Sequence, residues 1–146
     1  MKRLTLIDKA LLLKKTSLFG ALDLDLLLPI ADKLTPVEYD EGETVFDEGE
    51  QGNRMFVIVE GRVQLKNDKQ SIMLGGEDFF GDESLFNEQP RTYSAISKTH
   101  SVLVTLSRTN MLTIISEAPS VAVALLHVYT TASPFRIRME NKHEHS

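Results

Sequence analysis

The sequence predicts an α+β protein, an antiparallel β-barrel or jelly roll flanked by N- and C-terminal helices. Three observations predict it. Apolar residues recur at helical spacing before residue 35. From Pro36 to Leu106, short runs rich in β-branched and aromatic residues are separated by Gly-rich turns at close spacing. After Ser107 the helical spacing returns. Helix, many strands, then helix again is the order of a sheet structure with its helices grouped at one side. A chain of 146 residues suits one domain with a sizeable core.

The N-terminal helical segment is residues 1–35. Leu4, Ile7, Leu11 and Leu12 fall on one face of a first helix, with Lys9, Lys14 and Lys15 on others. Such a basic amphipathic helix packs on its own domain more often than on a membrane or a partner. Asp25 to Leu34 reads as a second helix with Pro29 near its first turn. The β-region is residues 36–106. Its strand candidates are Val37–Tyr39, Thr44–Phe46, Met55–Val59, Arg62–Leu65, Ser71–Leu74, Thr92–Ser97 and Ser101–Leu106, with Asn67-Asp68-Lys69 as a hairpin tip. Residues 107–132 are helical. Ser107 caps one helix running to about Glu117, and Pro119 starts another carrying Val121, Leu125, Val128 and Tyr129 on one face. Ser133-Pro134 ends it, and the tail through Ser146 is polar and expected to be mobile.

Composition excludes several chemistries. The net charge of −5 provides no global field for nucleic acid or an acidic membrane. The chain has no cysteine, so disulfides, thiolate nucleophiles, Cys-bound zinc and iron–sulfur clusters are ruled out. Its histidines are His100, His127, His143 and His145, none on the early strands where a cupin enzyme would place metal ligands. No metal site and no cofactor are expected. The acids Asp82 and Glu83 are adjacent and diverge on a helix, so paired-carboxylate catalysis is poorly supported. Met1-Lys2-Arg3 precedes a short apolar run that Asp8 and Lys9 interrupt, without a cleavage site. No run has the length of a membrane span. A cytoplasmic, non-enzymatic protein is expected.

The segment from Phe79 to Ala95 carries the most chemistry. It sets Gly81 and Asp82 at the start of a short helix, then Arg91-Thr92 just past Pro90. The first N–H groups of a helix are unpaired and carry partial positive charge. A glycine allows close approach, and an arginine fork matches a phosphate. Asp82 is an anion and cannot serve the phosphate, but it can accept from a sugar hydroxyl. Anion donors beside a hydroxyl acceptor point to a sugar phosphate.

The same segment resembles the phosphate-binding cassette of cyclic nucleotide-binding domains. That family's pattern is F-G-E-x-x-L followed by P-R-x-x-[ST]; here it reads Phe80-Gly81-Asp82-Glu83-Ser84-Leu85, then Pro90-Arg91-Thr92-Tyr93-Ser94. Gly42, Gly49-Glu50-Gln51-Gly52, Phe56 to Gly61 and Leu74 to Phe79 resemble the family's upstream turns and strands, so the likeness spans roughly Leu18 to Leu126. The resemblance implies a regulatory module for cAMP or cGMP. Arg91 would take the phosphate with N–H groups near Gly81 and Ser84, and Asp82 the ribose 2′-hydroxyl. Thr92 would lie beside the phosphate and, for cGMP, near the guanine amino group. The C-terminal helix would cover the ligand and report to a partner chain or a homodimer, since no output domain is visible in this sequence. Phe80, Gly81, Asp82, Glu83, Ser84, Arg91 and Thr92 are therefore the candidate ligand-binding residues.

Each has a simpler reading. Arg91 can be an exposed arginine, Asp82 a helix cap and Ser84 ordinary first-turn chemistry; Leu65, Ile72 and Leu74 are read as core before base contacts. Two residues depart from the family pattern. Asp82 stands where the family usually has glutamate, and Tyr93 where it has a small residue, so its phenol either crowds the pocket or points outward. They favour the alternative: a degenerate cyclic nucleotide-binding fold acting as a protein-interaction module without ligand.

Overall fold

The computed structural model describes residues 3–131; the expected helix break at Ser133-Pro134 and the polar tail lie outside them. Two antiparallel sheets face each other. The strands are β1 (Thr35–Tyr39), β2 (Thr44–Phe46), β3 (Arg54–Glu60), β4 (Val63–Lys66), β5 (Ser71–Leu74), β6 (Phe79–Phe80), β7 (Ser94–Ser97) and β8 (Ser101–Ser107). One sheet has the order β1-β8-β3-β6, the other β2-β7-β4-β5. Helices α1 (Leu6–Lys15), α2 (Leu24–Asp32), α3 (Arg108–Glu117) and α4 (Pro119–Thr131) flank them, and a 3-10 turn spans Asp82–Leu85. The expected α+β jelly roll is what the chain forms.

Period-two alternation divides the apolar residues between two cores. On β3, Met55 and Val57 face the helices, whereas Phe56 and Ile58 face the barrel interior. Val104 and Leu106 of β8 join the helical core, and Leu103 joins the barrel core. Even the two-residue β6 obeys the rule, with Phe79 toward the helices and Phe80 inward. That strand was not expected. A pair of residues carries no readable period, and only its pairing with Val57 and Phe56 of β3 makes it a strand. Leu65 and Leu74 are buried in the barrel core, and Ile72 packs against it, as expected of core residues.

Two helical details differ from expectation. In α1 the buried side chains are Ala10 and Leu13, while Ile7 and Leu11 are about half exposed (52% and 50%). The face is set by what α1 meets. Lys9 donates to the Leu34 carbonyl and Lys14 to that of Leu22, turning these lysines toward the domain. The start of α1 is closed by a reciprocal Thr5–Asp8 capping box. Helix α2 begins at Leu24, so Pro29 lies inside it rather than in its first turn. Burial of Leu27, Ile30 and Ala31 holds the helix despite the missing N–H. The strand expected over Thr92–Ser97 begins only at Ser94, because Thr92 and Tyr93 form a bend outside the ladder; the cap and hairpin signals hold. Ser107 accepts from the Asn110 amide at the start of α3, and Asn67 accepts from the amides of Lys69 and Gln70 in the β4–β5 hairpin.

Candidate functional site

The site is built where β6 runs into the 3-10 turn. Gly81 makes that junction with φ +77°, in the left-handed region that other residues rarely adopt. Space is tight there as well. A Cβ there would lie 2.9 Å from Arg91 Nη1 and 3.1 Å from the Arg54 carbonyl oxygen. Asp82, Ser84 and Leu85 follow as buried residues of the turn, with Glu83 half-buried between them.

Arg91 is buried rather than an exposed strand arginine, with 7% of its surface accessible. Its Nη1 donates to the Gly81 carbonyl at 3.1 Å and its Nη2 to the Arg54 carbonyl at 2.9 Å. The guanidinium carbon stands 3.9 Å over the Phe46 ring centroid, a cation–π contact. Burial lowers its pKa from the ordinary value, opposed by Tyr93, then Glu83, Asp82 and Glu50 nearby. An arginine remains protonated through such a shift. The β2–β3 loop fixes the backbone: Gly49 N–H donates to the Arg91 carbonyl, and Arg91 N–H to that of Glu50, both at 2.8 Å. Gly52 of the same loop lies against the side chain. A Cβ at Gly52 would overlap both Arg91 Nε and Ser84 Oγ.

Tyr93 points inward. Its hydroxyl accepts from the Gly81 amide at 2.9 Å and donates to the Glu83 carboxylate, whose oxygens lie at 3.0 and 3.2 Å. Its ring sits 5.6 Å from that of Phe46, beside the stacked pair Phe56–Phe80. Aromatic rings thus fill the barrel end nearest the cassette. The cavity remaining beside Arg91, lined by Phe46, Gly52, Arg54 and Phe56 among others, is about 170 Å³.

Asp82 is fully buried and accepts a hydrogen bond from Tyr129 of α4 at 2.5 Å. Val121 and Leu125 anchor that helix in the core. Along the outer side of the turn runs a larger apolar groove, about 470 Å³, lined by Phe86, Ile115, Leu125, Leu126 and Tyr129.

The structure therefore gathers Phe80, Gly81, Asp82, Glu83, Ser84 and Arg91 in one place. Thr92 stands apart from them: it is exposed, while Arg91 and Tyr93 on either side are buried. Two supporting residues escaped sequence reasoning. Gly52 was read only as part of a turn. Arg108, in the first turn of α3, donates to the carbonyls of Ser84 and Asn87 and pairs with Glu88 at 3.0 Å, so it clamps the middle of the cassette. Its position after a good N-cap signals the start of a helix, and nothing in its neighbours signals a partner some twenty residues upstream.

The segment whose resemblance was read from sequence thus holds a buried arginine, a left-handed glycine and a buried acid together, and comparison with known proteins shows the family. The model of the cyclic nucleotide-binding domain family matches residues 36–118, more than half of the sequence. The chain belongs to the cyclic nucleotide-binding domain family. Among its relatives, a CRP-like cAMP-activated global transcriptional regulator of Mycobacterium tuberculosis is 29% identical over 123 residues, covering 80% of this chain and 55% of the regulator. A cGMP-dependent protein kinase of Plasmodium berghei is 32% identical over 96 residues, covering 65% of this chain and 11% of the kinase. The chain thus spans about half the length of the first of these relatives and a small part of the second. A crystal structure of the N-terminal domain of a Streptomyces coelicolor A3(2) transcriptional regulator superposes with a TM-score of 0.73 at 30% identity, covering 91% of this chain and 94% of that one. Among the described residues no single helix is long and apolar enough to cross a membrane.

Proposed function

We propose that this chain is a cyclic nucleotide sensor, a regulatory module that does no chemistry on its ligand and reports occupancy through α4. The observation that carries the reading is Arg91, buried behind Gly81 with its guanidinium in the cassette. In a family member, an arginine so placed supplies a charge-assisted contact to a cyclic phosphate. Gly81 and Ser84 complete the cradle, and Asp82 takes the ribose 2′-hydroxyl. Thr92, exposed on the neighbouring segment, is the candidate for discriminating cGMP from cAMP. Both names occur among the relatives, so the base is left to experiment.

The route to α4 runs through Asp82. The carboxylate that would receive the ribose hydroxyl already receives Tyr129. Ribose binding and the α4 contact therefore act on the same group, and a ligand that makes one differently shifts the balance of the other. The output, whether a protein partner or a second copy of the chain, reads that shift. Isothermal titration of the purified chain with cAMP and with cGMP tests the reading. A heat of binding that disappears in Arg91→Ala supports it; no binding of either nucleotide overturns it.

A second reading is favoured by one observation. The cavity beside Arg91, about 170 Å³, is smaller than the roughly 300–1,000 Å³ usual for ligand pockets. Phe46 and Tyr93 take the space beside it. A fold so filled would act as a protein-interaction module without nucleotide. The same titration separates the two.

A further inference from the structure

We propose that Tyr93 and Glu83 form an internal latch across the phosphate cradle, so that these residues set the affinity of the domain for cyclic nucleotide. The inference rests on the cassette being the anion site. The Gly81 amide is the donor at the head of the cassette, and it is taken by the Tyr93 hydroxyl at 2.9 Å. That hydroxyl is in turn held by both oxygens of Glu83. Glycine to phenol to carboxylate is a short chain of donors and acceptors that ends in an anion. The Gly81 amide, next to the carbonyl that Arg91 holds, is therefore engaged by a chain that ends in an acidic group of the same molecule.

Three consequences follow for a cyclic phosphate. It must displace the phenol to reach the Gly81 amide. It must approach Glu83, a like charge that opposes it. It must also find room where the Tyr93 ring lies 5.6 Å from Phe46, the ring under Arg91. The Tyr93 ring is buried in the barrel core, so opening the latch withdraws it from that packing, but its backbone is not tied into a strand. Tyr93 lies just before β7 begins at Ser94 and is outside the regular ladder. Thr92 and Tyr93 form a bend with no strand pairing of their own. A rotation of this bend carries the phenol out without breaking the β4–β7 ladder, whose register starts at Ser94 opposite Lys66. The Arg91 backbone stays fixed meanwhile by its bonds to Gly49 and Glu50. The tyrosine is thus the movable member of the site and the arginine the fixed one.

The test titrates the parent chain, Tyr93→Ala, Tyr93→Phe and Glu83→Gln with cAMP and cGMP, with circular dichroism to confirm folding. The latch predicts that Tyr93→Ala tightens binding about tenfold or more, and that Tyr93→Phe and Glu83→Gln tighten it about threefold. A residue that only supports the fold would weaken binding when replaced, so the sign of the change is diagnostic. The Gly81 amide proton is read in parallel by NMR. It should shift in Tyr93→Phe, which keeps the ring and removes its acceptor. Equal affinity in the parent and all three variants overturns the latch and leaves the anion site intact. An unmoved Gly81 resonance overturns the latch by itself. Failure of every folded variant to bind either nucleotide overturns the anion site, and the latch with it.

Discussion

The two ends of the cassette are held by different parts of the chain. At the end proposed to take the phosphate, here the anion end, Arg91 is fixed by groups of the barrel alone: the carbonyls of Gly81 and Arg54, the Phe46 ring and the β2–β3 loop. At the end proposed to take the ribose, here the sugar end, Asp82 is fixed by Tyr129, which arrives from α4 at the far end of the described chain. The barrel can therefore hold the arginine whatever α4 does, whereas the acid and the last helix answer to each other. One end suits recognition and the other suits reporting. Substitutions at the anion end should change affinity and barrel stability together; those at the sugar end should change the helix.

The largest effect is expected at Arg91. In Arg91→Ala the carbonyls of Gly81 and Arg54 both lose a charged donor. Each such bond contributes roughly 1.5–3 kcal/mol. The proposed phosphate contact is a further bond of that kind, so nucleotide affinity should fall about ten- to several-hundredfold, while loss of the two carbonyl bonds should lower the urea midpoint. A variant that loses affinity while keeping its midpoint would show that the barrel does not depend on the arginine, and the contrast between the ends would weaken. Gly52→Ala probes the same end less severely. The added methyl overlaps Arg91 Nε and Ser84 Oγ, and relieving such crowding costs roughly 1–3 kcal/mol. It should lower both affinity and midpoint, without altering amide exchange in α4.

What the sequence revealed of this arrangement follows the range of each interaction. The glycine, acid and arginine of the cassette were legible because each is required by type, and because they lie within one short segment. The jelly roll was legible from alternation and turns. Gly52 and Arg108 were not, because the groups they serve are distant in sequence: Gly52 makes room for Arg91, and Arg108 holds the carbonyl of Ser84. Tyr93 was visible as an unusual residue, but its direction was not. It precedes β7 in a bend, where no period assigns it to a face. Tyr129 was read as part of a docking face with Val121, Leu125 and Val128, but only the aliphatic members join the core and Tyr129 is 40% exposed. The tyrosine goes instead to Asp82, a partner that helical periodicity cannot name.

At the sugar end the decisive change is Tyr129→Phe. It removes one hydrogen bond to a buried carboxylate while Val121 and Leu125 still anchor the helix. The loss of stability should be modest, about 1–2 kcal/mol. Hydrogen exchange should speed up in the last turns of α4 and stay unchanged in β3 and β8. On the proposed ribose contact to Asp82, nucleotide should produce the same pattern in the parent. Slower exchange in α4 with nucleotide bound would mean that the helix closes over the ligand and keeps its bond to the acid.

The smallest effect is expected at Thr92, and it tests whether the contrast between the ends is complete. The residue is exposed, between buried Arg91 and buried Tyr93. Replacing an exposed residue away from a cap or a buried bond usually changes stability by no more than about 0.5 kcal/mol, so Thr92→Ala should leave the urea midpoint where it is. Its effect on binding depends on the bend it shares with Tyr93. If that bend keeps its present course when nucleotide binds, the hydroxyl faces water and the variant should bind cAMP and cGMP like the parent, within about twofold. If the bend rotates to release the phenol, the same movement brings Thr92 toward the cradle. The hydroxyl then gains a bond to the phosphate or to the guanine amino group, a group adenine lacks. Thr92→Ala would then lose more affinity for cGMP than for cAMP. The rotation is the outcome expected here, because the Gly81 amide must be freed before a phosphate can use it. A selective loss for cGMP in Thr92→Ala that persists in Tyr93→Ala would attribute the discrimination to Thr92 itself. A loss that vanishes once Tyr93 is removed would mean that the threonine acts only through the bend, and both residues would then belong to the movable part of the anion end.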